Sequence, residues 1–352
     1  MKLPDNMEER RGMSPTLLST LGAVCIFVLL IIIIVLFLNR DKTTSHVAGQ
    51  QQHQQQNQES FAVQSTLSPD DFDFWDMYPE ATATPEPEVE EVPTQLPPSE
   101  DGKHTKIIND SGEEEWVKIN NKVEKHNYDF TKLVSQSNLM QYYKDGKECS
   151  FVGVDVSKYQ EYIDFNKVKK AGIDFCMIRV GARGYGTGQL VLDEYFAENI
   201  SNASNAGLDV GVYFFSQAVT EEEAIEEANM VLEQIKDYEI AYPVAFDMEY
   251  IENDTARVEQ LDKSQKTAVA RAFLDTIKNA GYTPMIYGKK EWLIKKVDLV
   301  LLSDYDVWLA QYEDVPDYPY KFSMWQYSNK GTVDGISGKV DLNISFIDYS
   351  EK

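Results

Sequence analysis

From Phe151 to Phe346 the sequence alternates short apolar runs with amphipathic stretches, and this order constrains the fold more than any other feature. Phe151–Val156, Phe175–Val180, Val210–Phe215, Val244–Met248, Met285–Tyr287, Val307–Gln311 and Phe322–Tyr327 read as strands, with a last strand or hairpin within 332–346. Between the strands, Asp164 caps a short helix ending near Gly172, and a helix from about Asp193 to Ala206 stops at Gly207. Thr220 and Glu223 form a capping box that opens a helix to about Lys236. Ser264–Ala280 reads as a helix closed by Gly281, and 289–296 as a short helical stretch. Strand–helix alternation implies parallel strands with right-handed crossovers. Eight strands in so short a chain predict a closed sheet, and the second half has too few residues for a full set of helices. A TIM-like (β/α) barrel lacking some helices therefore fits better than an open doubly wound sheet. The active site of such a barrel lies at the C-terminal ends of its strands.

The available chemistry is narrow. All four histidines (His46, His53, His104 and His126) precede residue 150, so the barrel region holds none. That excludes Ser-His-Asp and Cys-His triads there, and any histidine-ligated metal. The cysteines Cys25, Cys149 and Cys176 are too few for a disulfide framework, and Cys176 falls in a buried strand. A formal net charge of −25 argues against nucleic acid as a partner. The glycine-rich stretch Gly181–Gly188 matches neither a dinucleotide fingerprint nor a phosphate loop. No cofactor and no metal is expected, and the chemistry falls to carboxylates, Tyr, Lys, Ser or backbone.

Carboxylates stand where the fold would use them. The first strand ends Val154-Asp155-Val156-Ser157, the fourth ends Phe246-Asp247-Met248-Glu249, and the last contains Val340-Asp341-Leu342-Asn343. Asp247 and Glu249 are two residues apart, so both project from one face of their strand. Carboxylates crowded in a barrel mouth cannot all ionise, which raises at least one pKa. One group then serves as acid while another stays anionic, as glycoside hydrolysis requires.

At this point the residues carry a resemblance. Gly153–Gln160, Ile178-Arg179 with Gly184-Tyr185-Gly186, Val212–Phe215, Phe246–Glu249, Trp308–Tyr312, Trp325–Tyr327 and Val340–Asn343 resemble, in order, glycoside hydrolase family 25, the N,O-diacetylmuramidase lysozymes. The resemblance spans about 151–346. It implies a barrel with about five helices and cleavage of the β-1,4 bond between N-acetylmuramic acid and N-acetylglucosamine in peptidoglycan. Glu249 would be the general acid. Asp247 would stabilise the developing positive charge, directly or through the substrate's acetamido group. Asp155 and Asp341 would complete the acidic floor. Tyr213, Tyr287, Tyr185, Gln311, Trp325 and Arg179 are candidate sugar-binding residues. For Tyr213, Tyr287, Trp308 and Trp325, core packing is the competing role, and Arg179 pairs with either a catalytic or a structural acid. Two other functions compete: a wall-glycan-binding protein without catalysis, and a hydrolase of another acetylamino-sugar polymer. The first is disfavoured by the complete acid set, and a chitinase of the D-x-x-D-x-D-x-E type by the residues before Asp247.

The first 150 residues read differently. Leu17–Leu38 is free of charge and, as a helix, would be about 33 Å long, enough to span a bilayer core. Its length and its flank Asn39-Arg40-Asp41-Lys42 fit an uncleaved anchor better than a signal peptide. Lys2, Arg10 and Arg11 precede it and Arg40 and Lys42 follow, which places residues 1–16 in the cytoplasm and the rest outside, facing the cell wall. Residues 39–104 form an acidic, Gln- and Pro-rich linker expected to be disordered. Residues 105–150 read as a small β-rich appendage, with Asp145-Gly146 as a hairpin turn, ahead of a catalytic domain at 151–352.

Overall fold

The computed structural model describes residues 97–351, apart from Asp110 and residues 252–254. The span expected at 17–38 lies outside the described residues, as does most of the linker. Among the described residues, no helix is long and apolar enough to cross a membrane.

Ahead of the barrel, β1 (His104–Ile108) pairs antiparallel with β2 (Glu114–Lys118). Then β3 (Leu133–Gln136), β4 (Leu139–Lys144) and β5 (Lys147–Glu148) form a three-stranded sheet. Asp145 and Gly146 both take positive φ in the β4–β5 turn, the backbone that a tight two-residue hairpin demands.

The barrel strands are β6 (Phe151–Val156), β7 (Phe175–Arg183), β9 (Asp209–Phe215), β10 (Val244–Asp247), β11 (Pro284–Lys289), β12 (Asp306–Ala310), β13 (Met324–Gly331) and β14 (Val340–Ser345). They pair in chain order and close through β14–β6. A short β8 (Leu190–Leu192) adds to the outer edge of β7. Neighbours run parallel from β6 to β13, but β14 is antiparallel to both β13 and β6. Of the strand or hairpin expected within 332–346, the structure has the hairpin, and the parallel order implied by strand–helix alternation stops at β13. The link from Gly331 to Val340 is too short for a crossover, which needs a dozen or more residues, so the chain turns straight back.

All five α-helices of the described residues precede β12: α1 (Phe165–Lys170), α2 (Phe196–Asn205), α3 (Glu221–Ile235), α4 (Lys263–Asn279) and α5 (Lys290–Lys295). Among the described residues, no α-helix follows β12, β13 or β14. Aromatic residues of the N-terminal segment pack on that side instead. Tyr128 stacks on Phe346 with ring centroids 4.2 Å apart, and its hydroxyl donates to the Phe322 carbonyl at 2.7 Å. Tyr142 meets Phe346 edge-on, and the Met140 amide donates to the Tyr327 hydroxyl at 3.1 Å.

Strand parity separates two cores. Val154, Ile178, Val212, Phe246, Trp325 and Leu342 face outward and pack in the cluster beneath the helices and the N-terminal segment. Phe175, Met177, Ala245, Met285, Trp308 and Met324 fill the barrel interior. Gly153 is required by this packing, because a Cβ there would overlap the Phe175 ring. One step further along the same inward face come Asp155, Asp247 and Asp341, so the period of two that builds the core also aims the acids into the mouth.

Candidate active site

A cleft of about 320 Å³ opens at the C-terminal ends of the parallel strands. Asp155, Asp247, Glu249 and Asp341 all line it, with Arg179, Tyr213 and Tyr287. The two innermost acids are nearly enclosed, Asp155 at 6% exposure and Asp247 at 5%.

Asp155 is held from one side. Its Oδ2 accepts from Gln326 Nε2 and from Asn343 Nδ2, each at 2.8 Å. Gln326 in turn accepts the Tyr287 hydroxyl at 2.9 Å and the Tyr312 hydroxyl at 2.8 Å. Asn343 accepts from Trp308 Nε1 at 2.8 Å. A buried network of this kind fixes each amide's orientation, since every oxygen and nitrogen has a dedicated partner. Burial raises Asp155 to about 6, aided by the charge of Glu249 and opposed by the two amide donors.

Asp247 is placed differently. Its Oδ1 is buried with no hydrogen-bond partner among the described residues. Burial pushes its pKa well up, and Glu249 and Asp155 add to the shift while Arg179 and Lys289 oppose it. Asp341 is pushed up to about 8 by burial and by the charges of Asp155 and Glu249. These titrations belong to the set rather than to single residues, because each proton changes the field felt by the others. Glu249 sits at the rim, about a quarter exposed, with Lys289 Nζ 3.5 Å from its Oε2. Gln217 Nε2 donates to its backbone carbonyl at 3.0 Å, which fixes the chain just past β10.

Arg179 reaches the cleft but pairs with Asp193, its Nε and Nη2 donating to Oδ2 at 2.8 and 2.7 Å. Its guanidinium also lies over the Tyr159 ring, 5.1 Å from the centroid. Of the two roles open to it, the partner is the structural acid. Tyr213 and Tyr287 pack edge-on against Trp308 with their rings toward the cleft. Trp308 therefore serves the inner core and the cleft lining together.

Three expected residues stand apart. Trp325 faces outward, is fully buried in the outer core and donates from Nε1 to the Gln311 carbonyl at 2.8 Å. It has no face to offer a sugar, because its neighbour Gln326 takes the inward position. The Gln311 side chain is engaged with Asp317, and Tyr185 lies on an exposed loop outside the cleft lining. Sequence reasoning missed Gln326, Asn343, Tyr312 and Lys289. The signal for the first two was parity. Asn343 is two residues from Asp341, and Gln326 is two from Met324, so both share inward faces.

The family model for Glycosyl hydrolases family 25 matches residues 154–336. The chain belongs to glycosyl hydrolases family 25. The match takes in Asp155, Asp247 and Glu249, whereas Asp341 and the strands before β6 lie outside it. Among similar sequences, the uncharacterized protein YegX of Escherichia coli K12 is 28% identical over 195 residues, covering 54% of this chain and 68% of that protein. The autolytic lysozyme of Clostridium acetobutylicum is 26% identical over 192 residues, 54% of each chain. Among solved structures, the modular autolysin LytC from Streptococcus pneumoniae, in complex with a synthetic peptidoglycan ligand, aligns with a TM-score of 0.51 at 23% identity. That alignment covers 69% of this chain and 56% of LytC, and the likeness is one of fold. The chain thus spans about half the length of the lysozyme and the autolysin it matches.

Proposed function

We propose that this family 25 glycoside hydrolase is a muramidase that cleaves the β-1,4 bond between N-acetylmuramic acid and N-acetylglucosamine in peptidoglycan, tethered to the cell membrane by residues 17–38. The observation that carries the reaction is the cleft itself. Four carboxyl groups share one small volume, three of them well shielded and held above their ordinary pKa range. Such a set retains protons at neutral pH while still bearing negative charge, the combination that acid-catalysed glycoside cleavage needs.

Glu249, at the rim, donates its proton to the glycosidic oxygen as the bond to the anomeric carbon breaks. Positive charge develops on the sugar ring, and Asp247, which lines the same cleft, stabilises it. Asp247 acts either on the ring directly or by orienting the substrate's acetamido oxygen for attack. Water then adds at the anomeric carbon, and Glu249 takes up the proton that the water releases. Asp155, locked by Gln326 and Asn343, and Asp341 beside it complete the acidic floor, so that one carboxyl of the set keeps a proton while another stays anionic. The tether rests on the charge-free run Leu17–Leu38, and the long acidic linker gives the barrel reach toward the wall.

The test is digestion of purified peptidoglycan by the full chain beside Glu249→Gln. New reducing ends at muramic acid, lost in the variant, support both the bond and the acid. Intact glycan after incubation with folded wild-type protein would refute the reading. Recovery of the chain in the soluble fraction of lysed cells would refute the tether.

A further inference from the structure

A second cavity, of about 760 Å³, adjoins the acid cleft and shares Glu249 and Lys289 with it. One wall is the β1–β2 unit, through Ile107 and Ile108, and the facing wall is Tyr250 and Trp292. The β1–β2 unit lies outside the family match. It is anchored rather than loosely apposed. Ile107 is buried in the main core, Lys295 Nζ pairs with Glu115 Oε1 at 2.5 Å, and the Ile108 amide donates to Glu291 Oε1 at 3.5 Å.

Two observations define what the cavity accepts. Its charged lining is balanced, Glu115, Glu249 and Glu291 against Lys289, Lys295 and Lys296. A balanced lining gives no net pull on an ion of either sign and suits a ligand dense in hydroxyl and amide groups. Its walls also carry apolar side chains, Ile107 and Ile108 on one side and Tyr250 and Trp292 on the other. Aromatic faces with scattered polar groups are what sugar rings present surfaces to, apolar on the flat sides and polar around the edge.

We propose that the β1–β2 unit and the Tyr250–Trp292 wall form an additional glycan-binding compartment continuous with the acid cleft, holding sugars of the polymer beyond the pair at the cleaved bond. This rests on the reading of the acid cleft as a glycan-cleaving site. Contacts remote from the reacting bond then contribute to its cleavage, so long strands are better substrates than short ones.

The experiment titrates full-chain Glu249→Gln with a tetrasaccharide and an octasaccharide of the peptidoglycan glycan, following tryptophan fluorescence. The octasaccharide is expected to bind about tenfold more tightly, a difference of about 1.4 kcal/mol. Adding Ile108→Asp or, separately, Tyr250→Ala brings the two affinities within about twofold while the tetrasaccharide affinity is retained. Equal affinities without those changes, or equal weakening of both oligomers by both variants, would overturn the compartment. So would competition by an isolated stem peptide, which would assign the cavity to the peptide instead. Hydrolysis by wild-type protein is scored in parallel. Length-dependent binding without hydrolysis would sink the catalytic reading and leave the compartment, whereas hydrolysis without length dependence would do the reverse.

Discussion

Asp341 on β14 stands directly opposite Asp155 on β6, so two carboxyl groups project side by side into the barrel mouth. Residues directly opposite on antiparallel strands have Cβ atoms about 4.5–5.5 Å apart, and like charges there repel. The reversal of β14 creates this pair. It brings an acid from the strand that closes the barrel against the acid of the strand that opens it. The cleft responds by holding protons, Asp155 to about pH 6 and Asp341 to about pH 8.

That retention couples stability to pH. An aspartate raised in the folded state binds more protons folded than unfolded between its two pKa values. Its stabilising contribution is complete below the unfolded value of about 3.9 and is lost as pH rises through the folded one. For Asp341 that window runs from near 4 to about 8. Asp341→Asn removes the group, so the variant's melting midpoint should gain on wild type as pH rises, reaching several degrees by pH 8. For a domain of this size, roughly 2–4 °C corresponds to 1 kcal/mol. Scanning calorimetry from pH 4 to pH 8 checks it, and a difference independent of pH would contradict it.

Much of this site was legible because its acids fall at strand ends, where residue type and position agree. Asp155 and Asp247 follow inward-facing residues of recognisable strands, and Asp341 stands at the start of one, two residues before inward-facing Asn343. What the sequence hid was direction and parity. Nothing in Val340–Ser345 says which way the strand runs, and only the brevity of the link before it points to a reversal. In Trp325-Gln326-Tyr327, aromatic residues flank an amide, and the usual preference sends the amide to solvent. Here the preference inverts, because the barrel mouth is polar and the outer face is covered by protein. The partners of Tyr128 and Tyr142 were equally hidden, since those contacts join residues 194 or more positions apart.

Gln326 is expected to matter more than its neutral side chain suggests. Gln326→Leu removes one of two donors to Asp155 and leaves the Tyr287 and Tyr312 hydroxyls without their acceptor. Losing partners for buried polar groups costs about 1–3 kcal/mol, measurable by urea denaturation. With fewer donors the Asp155 pKa moves up from about 6, so the acid limb of the pH–rate profile should shift to higher pH. An unshifted limb in a folded variant would remove Asp155 from the catalytic set.

Arg183 ties the end of β7 to α3. It donates to Glu227 Oε1 and Glu226 Oε2, each at 2.7 Å, and to the Gly188 carbonyl at 2.7 Å. Glu227 is fully buried, and burial pushes it up to about 7 against the pull of Ser216 and Arg183. Arg183→Met strands that carboxyl, a loss of about 3–5 kcal/mol where it must ionise. At pH 5 Glu227 takes a proton instead, so the loss should be smaller there than at pH 8. Denaturation midpoints at the two values decide it. Adding Glu227→Gln should recover part of the loss at pH 8.

The N-terminal segment should prove structural for the barrel. Phe322, at 1% exposure, and Phe346 are covered by Tyr128, Phe130 and Tyr142, beside β13 and β14, which no α-helix follows among the described residues. Burying an aromatic side chain of this kind is worth about 1.5–3 kcal/mol. A chain beginning at residue 149 exposes several of them at once, together with the outer faces of β13 and β14. Its melting midpoint should fall by roughly 10 °C or more relative to a chain beginning at residue 97, at about 2–4 °C per kcal/mol. It should also self-associate on gel filtration, since a contiguous apolar patch is left facing water. Equal midpoints for the two chains would show that β6 to β14 stand without that cover, and that the segment's contribution lies with the substrate alone.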